Sequence, residues 1–298
     1  MFLYQTTNNE NEDKMKNKVV IITGANKGIG KEAAKQIAKL GAKVYMACRS
    51  LDSANQAKEE IIKETGNQNV FVIHLDLADM NSVKSFADEF KQRENKLDVL
   101  INNAGIWTKS KQIFELGVEM TFAVNVVGQH FLTNLLIEEL KNAAPSRIIN
   151  VASHYASGLK IDDINFGKRK FNETLAYKQT KQANRILTRE WARRLEKYNI
   201  SVYSLTPGFV PSTELFREQN VVGKFLLKVF ALIEGRTIEE GADTIVWLAS
   251  TDKINGSKGG FFNQRKEEKC KFFNSEDERR LWEKCEEFLT AVKENQLK

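Results

Sequence analysis

Cysteine is scarce in this 298-residue chain: there are three, Cys48, Cys270 and Cys285. A small, odd number offers no disulfide framework and fits a reducing compartment. Histidine is equally rare, at three, and no Cys/His spacing suggests a metal site. With only three prolines, a long Pro-rich linker between two domains is excluded. Long apolar runs are missing too. The longest, FLLKVFALI from Phe225 to Ile233, is interrupted by Lys228 and is too short to cross a bilayer. The N-terminus, MFLYQTTNNENEDKMKNK, leaves its apolar start at once for an acidic, amide-rich stretch. That is neither a signal peptide nor a membrane anchor. Residues 1–17 read as a disordered lead-in, and the chain reads as cytoplasmic. Lysine and arginine number 45 against 39 acids, a net charge of +6. No dense basic run interleaved with aromatics accompanies this excess, so nucleic acid is not an expected partner. A mild attraction for an anionic ligand is.

From Lys18 onward the pattern alternates. Short β-branched runs, VVIITG, KVYMAC, NVFVIHLD, LDVLINNAG, RIINVAS and ISVYSLTPG, read as strands. Helically periodic segments lie between them: Gly30–Leu40, Asp52–Thr65, Asn81–Glu94, Gly117–Asn142 and Thr174–Tyr198. Near-continuous apolar strands alternating with helices imply a parallel sheet covered on both faces. The expectation is one doubly wound α/β domain over 18–298 with about seven strands. The segment 210–238 breaks the rhythm and reads as an inserted lid over the substrate. GGFFNQRKEEK supplies a last strand, and a charged helix follows over about 276–296.

VVIITGANKGIGKEAAKQIAKL is a strand, a glycine turn and a helix. Gly24, Gly28 and Gly30 permit a left-handed turn and close approach to a ligand. The helix beginning near Gly28 aims its N–H groups at that spot, which suits a pyrophosphate. This context makes the trio a dinucleotide site, with Asn26, Lys27 and Ile29 in the same loop. A site for NAD usually carries an acid at the end of the second strand. Here ACRS places Arg49 there instead, and Lys27 adds a second base, so the pair favours a 2′-phosphate and hence NADP(H). In HLDLAD, Asp76 would lie near the adenine or cap the next helix, with Leu77 beside it.

TGANKGIG, NNAG (Asn102–Gly105), Asn125, Ser153, Tyr177-x-x-x-Lys181 and Pro207–Gly208 occur in the order of the short-chain dehydrogenases/reductases. The resemblance covers about 18–265. It is closest to the retinol-dehydrogenase-like branch through ACRS, RIINVAS and LTREWARRLEKYNISVYSL. GADTIVWLAS with GGFFNQRK also resembles the orphan dehydrogenase/reductase member 12 type. AYKQTK and PGFVPSTELFRE resemble protochlorophyllide reductase. Departures are Ala152 where a second serine is common, Thr206 where histidine is common, and one extra residue after Pro207–Gly208. That last leaves Ser212 and Thr213 both open as a cofactor-contacting hydroxyl.

The resemblance implies a Rossmann-type fold and assigns the chemistry. Reducing a carbonyl needs a hydride at carbon and a proton at oxygen. A free tyrosine titrates near 10, too high for efficient exchange at neutrality. Tyr177 and Lys181, four apart on a helix, share a face. The ammonium, with the positive nicotinamide ring, is expected to lower the phenol. Ser153 would hydrogen-bond the substrate oxygen. By resemblance, Asn125 holds a water in the proton relay and Lys181 binds the nicotinamide ribose. Asn103, Ala104 and Gly105, with Pro207, Gly208 and Val210, are further cofactor-binding residues by the same resemblance. Asn102 and Asn103 read equally well as braces of that turn. His154 follows Ser153, but adjacent strand residues point to opposite faces, so no Ser–His pair is expected.

Trp107, Phe209, Leu215 and the Phe225–Ile233 run would gather at the carboxyl ends of the strands, where such sheets bind ligands. They suggest a greasy pocket for a retinoid-, steroid- or lipid-like carbonyl or alcohol. The same apolar run reads equally as a helix packed on the core or as peripheral membrane contact. A homodimer is implied by the resemblance alone. The expected activity is NADP(H)-dependent interconversion of a hydrophobic carbonyl and its alcohol. The alternatives are reduction of a carbon–carbon double bond and a non-catalytic NADP-binding regulator.

Overall fold

The computed structural model describes residues 14–114, 117–211, 235–272 and 274–296. Among the described residues eight strands form one sheet in the order β3-β2-β1-β4-β5-β6-β7-β8. They are β1 (Val19–Thr23), β2 (Lys43–Cys48), β3 (Val70–His74), β4 (Val99–Asn102), β5 (Ser146–Val151), β6 (Ile200–Leu205), β7 (Phe261–Asn263) and β8 (Lys266–Glu268). All neighbours are parallel except β7 and β8, which form an antiparallel hairpin. The expectation of about seven strands is therefore short by one. The run taken as a single last strand folds back on itself at Gln264 and Arg265, both at positive φ. Neither residue type advertises such a turn, and a short charged KEE segment carries no strand signature.

The central strands are buried on both faces, and their alternate residues feed two cores. On one side α1 (Gly28–Lys39), α2 (Leu51–Thr65) and α7 (Ile238–Ser250) pack Ile37, Ile61 and Ile245 against Val20, Ile22 and Val44. On the other side α3 (Met80–Arg93), α4 (120–135), α6 (Glu173–Leu195) and α8 (Ser275–Gln296) pack Phe86, Phe122, Trp191 and Trp282 against Val19, Ile21 and Ile148. Burial of this apolar surface, at about 25 cal/mol per Å², is the main stabilising term. Asp79 accepts from the N–H groups of Asn81 and Ser82 and starts α3, and Thr237 with Glu240 forms a capping box on α7. Asp76 is not that cap: its carboxylate accepts from the Ala78 N–H inside the preceding turn.

Two further expectations are corrected. The ordered body begins before Lys18, because Met15 is 2 % exposed and its N–H donates to the Leu40 carbonyl at 2.8 Å. Residues 1–13 of the expected lead-in lie outside the described residues. The continuous helix expected over 117–142 is broken. Glu119 caps Met120–Phe122, a π-helical stretch follows at Ala123–Gly128, and Gln129–Leu135 completes what we call α4. Leu136, at φ −105° and ψ 11°, separates it from α5 (Ile137–Asn142). Most of the expected lid, 212–234, lies outside the described residues; its flanks Val210 and Arg236 are anchored. The C-terminal helix spans Ser275–Gln296.

Candidate active site

The chain order reverses between β1 and β4, the switch point at which doubly wound sheets bind ligands. The loops after these strands are tied together. Thr23 Oγ1 accepts from the N–H groups of Asn103 and Ala104 at 3.0 and 2.9 Å. Asn103 Nδ2 donates back to the Thr23 carbonyl at 2.9 Å. Gly24 and Gly28 adopt φ +66° and +55°, which glycine enters without strain. A Cβ on Gly30 would stand 2.4 Å from both Asn103 Nδ2 and the Gly24 carbonyl oxygen. Close packing here, as well as the turn, therefore requires glycine. Asn26 Nδ2 reaches Ser53 Oγ at 3.1 Å and fastens the loop to α2.

The N-terminus of α1 is bare. Lys27 stands at its N-cap without capping it, and no acid occupies the first turn. The N–H groups of a helix's first turn and its positive dipole end, here beside glycines, fit a dinucleotide pyrophosphate. Gly24 N–H donates to the Ala47 carbonyl at 2.8 Å, so the ends of β1 and β2 lie side by side. Arg49 is exposed and follows β2 directly. Leu77 is buried, and its carbonyl packs onto Gly128 so closely that a Cβ there would come within 2.4 Å. Asn102 is not a brace of the turn. Its amide points inward to Asn150 Oδ1 at 2.9 Å, and Asn150 passes the chain on to Thr188.

Helix α6 carries the tyrosine and lysine. Asn172 caps it by accepting from the Leu175 N–H, Glu173 complements its first turn, and Arg193 and Arg194 its last. Tyr177 is 7 % and Lys181 4 % exposed. Lys181 Nζ lies 5.6 Å from the Tyr177 ring centroid and donates to the Val151 carbonyl at the end of β5, at 2.8 Å. Burial depresses Lys181 to about 8. Burial also pushes the Tyr177 phenol above its ordinary value. This runs opposite to the expected lowering by Lys181: in the protein by itself, desolvation outweighs the neighbouring ammonium.

Asn125, fully buried within the π-helical stretch, clamps the backbone after Gly105. Its Oδ1 accepts from Ile106 N–H at 2.8 Å and its Nδ2 donates to Ile106 C=O at 2.9 Å. Nδ2 also reaches Thr180 Oγ1 at 3.2 Å, which links the clamp to α6 one residue before Lys181. A Cβ on Gly105 would stand 3.6 Å from Lys181 Nζ, so the NNAG loop, Asn125 and Lys181 meet at one point. Ser153 follows β5, and its Oγ accepts from the Tyr155 N–H at 2.9 Å. His154 turns away to Glu268 Oε2 at 2.7 Å, in line with the expectation that it does not serve Ser153. Pro207 and Gly208 are held by Arg236. Its guanidinium donates to the Pro207 carbonyl at 3.3 Å and lies where a Gly208 Cβ would be. The Val210 side chain is buried against the Gly241 turn of α7. Thr23, Thr180 and Arg236 were not singled out in the sequence, because only tertiary contact gives them a task. Trp107 stacks on Tyr177.

A dinucleotide cradle at the switch point, with a buried Tyr–Lys pair across from it, defines a nicotinamide-dependent oxidoreductase. The short chain dehydrogenase family model matches residues 18–221. Mouse retinol dehydrogenase 11 is 41% identical over 248 residues, 83% of this chain and 77% of that protein. Human retinol dehydrogenase 13 is 39% identical over 275 residues, 89% of this chain and 82% of that protein. The chain belongs to the short-chain dehydrogenase family, in its retinol-dehydrogenase-like branch, and is an oxidoreductase acting on CH–OH groups. Among solved structures, an uncharacterized protein from Mycobacterium paratuberculosis superposes with a TM-score of 0.70 at 27% identity, covering 92% of this chain and 93% of that one. RhlG of Pseudomonas aeruginosa, in an active-site complex with NADP, superposes with a TM-score of 0.67 at 23% identity, covering 84% and 96%; that likeness concerns the fold. Among the described residues no helix is long and apolar enough to cross a membrane.

Proposed function

We propose that the chain interconverts a hydrophobic carbonyl and its alcohol with NADP(H), Tyr177 carrying the proton. The observation that carries this reading is the burial of Tyr177 and Lys181 on one face of α6, beside the NNAG loop and the end of β5. A Tyr–Lys pair on a solvated helix face would be decoration; one kept from water at this cost has a task.

The bound nicotinamide would supply or accept the hydride. Gly24, Gly28 and Gly30 and the bare start of α1 would hold the pyrophosphate, and Arg49 with Lys27 the 2′-phosphate. Lys181, held at Nζ by the Val151 carbonyl, keeps a positive charge against the phenol. Tyr177 Oη donates its proton to the substrate oxygen in reduction and takes it back in oxidation. Ser153 Oγ donates to the same oxygen as charge develops there. Asn125 keeps the floor of the site in register through Ile106 and Thr180. The names of the relatives favour a retinoid-like substrate, and Trp107 and Phe209 supply apolar surface for one.

Calorimetric titration with NADPH and NADH, on wild type and Arg49→Ala, tests the cofactor reading. Tighter NADPH binding that loses its preference in the variant is the expected result; equal binding of both by wild type refutes the Arg49 assignment. Turnover of a retinoid or aliphatic aldehyde should fall at least a hundredfold in Tyr177→Phe, the size of a lost general acid. A Tyr177→Phe enzyme of undiminished rate would refute the proton role.

A further inference from the structure

The charged run KEEK at the end of the sheet looks like plain surface, but its two acids have different partners. Glu267 and Glu268 are neighbours on β8, so their side chains leave on opposite faces. Glu267 accepts from the Ser257 N–H at 3.0 Å, in the loop before β7. Glu268 uses both of its oxygens. Oε2 lies 2.7 Å from His154 Nε2, and Oε1 accepts from Asn263 Nδ2 at 2.8 Å. Asn263 Oδ1 accepts in turn from Arg236 at 3.0 Å, and the same guanidinium donates to the Pro207 carbonyl at 3.3 Å. A chain of four side chains thus joins the residue after Ser153 to the turn at Pro207 and Gly208. Strands β5 and β6 are parallel neighbours, so these two turns leave the same end of the sheet. Their ladder closes with the Ala152 N–H on the Leu205 carbonyl, and past it the turns are tied through Glu268. The hub itself is anchored: Arg265 at the tip of the hairpin bonds Asp243 on α7 at 2.8 Å, and the His154 ring packs edge-on against Phe261. Partial burial alone would raise the Glu268 carboxyl. The bonds from His154 and Asn263, with the nearby charge of Arg185, outweigh it and hold the group below its ordinary value, as a carboxylate that accepts on both sides.

We propose that Glu268 is a positioning residue of this site: its carboxylate keeps the Ser153 turn and the Pro207–Gly208 turn in register, through His154 on one side and Asn263 with Arg236 on the other. The proposal rests on the carbonyl–alcohol reading above, in which Ser153 Oγ donates to the substrate oxygen. His154 passes Ser153 no proton; it is the handle by which the backbone beside Ser153 is held. His154 and Glu268 are both partly exposed, and such pairs add little to stability. A displacement of about 1 Å in a reacting group, by contrast, can cost about a hundredfold in rate. Loss of the brace is therefore felt in kcat and hardly in Tm.

The test compares wild type, Glu268→Ala and Glu268→Gln in three measurements: reduction of decanal and retinaldehyde with NADPH, thermal unfolding, and amide hydrogen exchange by mass spectrometry without cofactor. The Tyr155 and Ala156 amides, bonded to Ser153 Oγ and the His154 carbonyl, report on one turn. The Gly208 amide, bonded to Thr206 Oγ1, reports on the other. In Glu268→Ala both turns should exchange faster, and kcat should fall roughly ten- to a hundredfold with KM within about threefold. Its Tm should stay within about 3 °C of wild type. Glutamine has one acceptor oxygen where glutamate has two, so Glu268→Gln serves one arm and should fall between the others in rate and exchange. Unchanged exchange in both turns of Glu268→Ala would overturn the proposal whatever the rates. So would faster exchange with undiminished kcat, or a loss of rate that only follows a fall in Tm of more than about 10 °C, since Glu268 would then be a structural residue. Faster exchange of both turns, in a protein whose wild type reduces neither aldehyde, would support the brace and refute the carbonyl reading instead.

Discussion

Replacing Lys181 with methionine should yield a protein that is catalytically crippled and yet more stable. Methionine has nearly the length and flexibility of the lysine stem, so packing around the buried side chain changes little. The charge is the issue. The fall of the lysine from 10.5 to about 8 means that holding it protonated costs the folded state about 3 kcal/mol at neutral pH. Against this stands the bond from Nζ to the Val151 carbonyl, whose loss costs about 1–2 kcal/mol. The net expectation is a gain of about 1–2 kcal/mol, or roughly 2–6 °C in Tm for a protein of this size. The pH dependence has a definite sign. Below pH 8 lysine is protonated in both states, and the full penalty is present. Between about 8 and 10.5 the unfolded chain binds the proton and the folded one does not, so wild type gains stability with rising pH. The advantage of the variant should therefore be largest at pH 7 and close by pH 10.5. Urea titrations of both proteins at pH 7, 9 and 10, without cofactor, measure it. A variant less stable than wild type at pH 7, or a gap indifferent to pH, would refute the reasoning.

Gly30→Ala sets overpacking of about 1–3 kcal/mol against a helix-propensity gain of about 1 kcal/mol. Its Tm should shift little, while calorimetry should show NADPH affinity falling at least tenfold, because the Gly24 carbonyl must move. His130 is buried between Trp191 and Trp282 and bonded to Glu286, and burial holds it below its usual 6.5 despite that carboxylate. Its neutral folded form means that stability falls as pH drops below 6.5, where the unfolded chain takes up the proton. His130→Phe should flatten that acid limb in denaturation curves recorded from pH 7.5 to 5.

The strands and the glycine turn were legible because their signals are local. A run such as VVII is apolar at every position since both of its faces are covered, and the glycine turn begins two residues on. What escaped was set by contact between distant residues. The hairpin of β7 and β8 turns on Gln264 and Arg265, which only the surrounding fold forces to positive φ. The break in the helix expected over 117–142 arises where Asn125 is pulled toward Ile106, a partner 19 residues earlier in the chain. The Tyr–Lys pair was readable as a spacing, but its electrostatics were not. Sequence gives the neighbouring charge and is silent on the water that burial removes, and burial causes both shifts. Asn102 and Asn103, adjacent and chemically identical, divide between the interior network and the loop because consecutive side chains leave a strand in opposite directions.

The π-helical stretch at Ala123–Gly128 has a consequence for how this enzyme can change. A wide turn accommodates one residue more than an α-turn does, and it rotates everything downstream by about 100° relative to a regular helix. Upstream of it, Thr121 and Phe122 are set by the Glu119 cap. Downstream, Gln129 donates to the Ala104 carbonyl, and His130 and Phe131 enter the interior. Asn125 sits in the phase between the two. Deleting a single residue here would straighten the helix and improve its local hydrogen bonding. It would also put either the clamp on Ile106 or the interior face out of phase. The segment is thus frame-locked: substitutions can be sampled one at a time, but a change of length must be matched by a second one elsewhere to be tolerated.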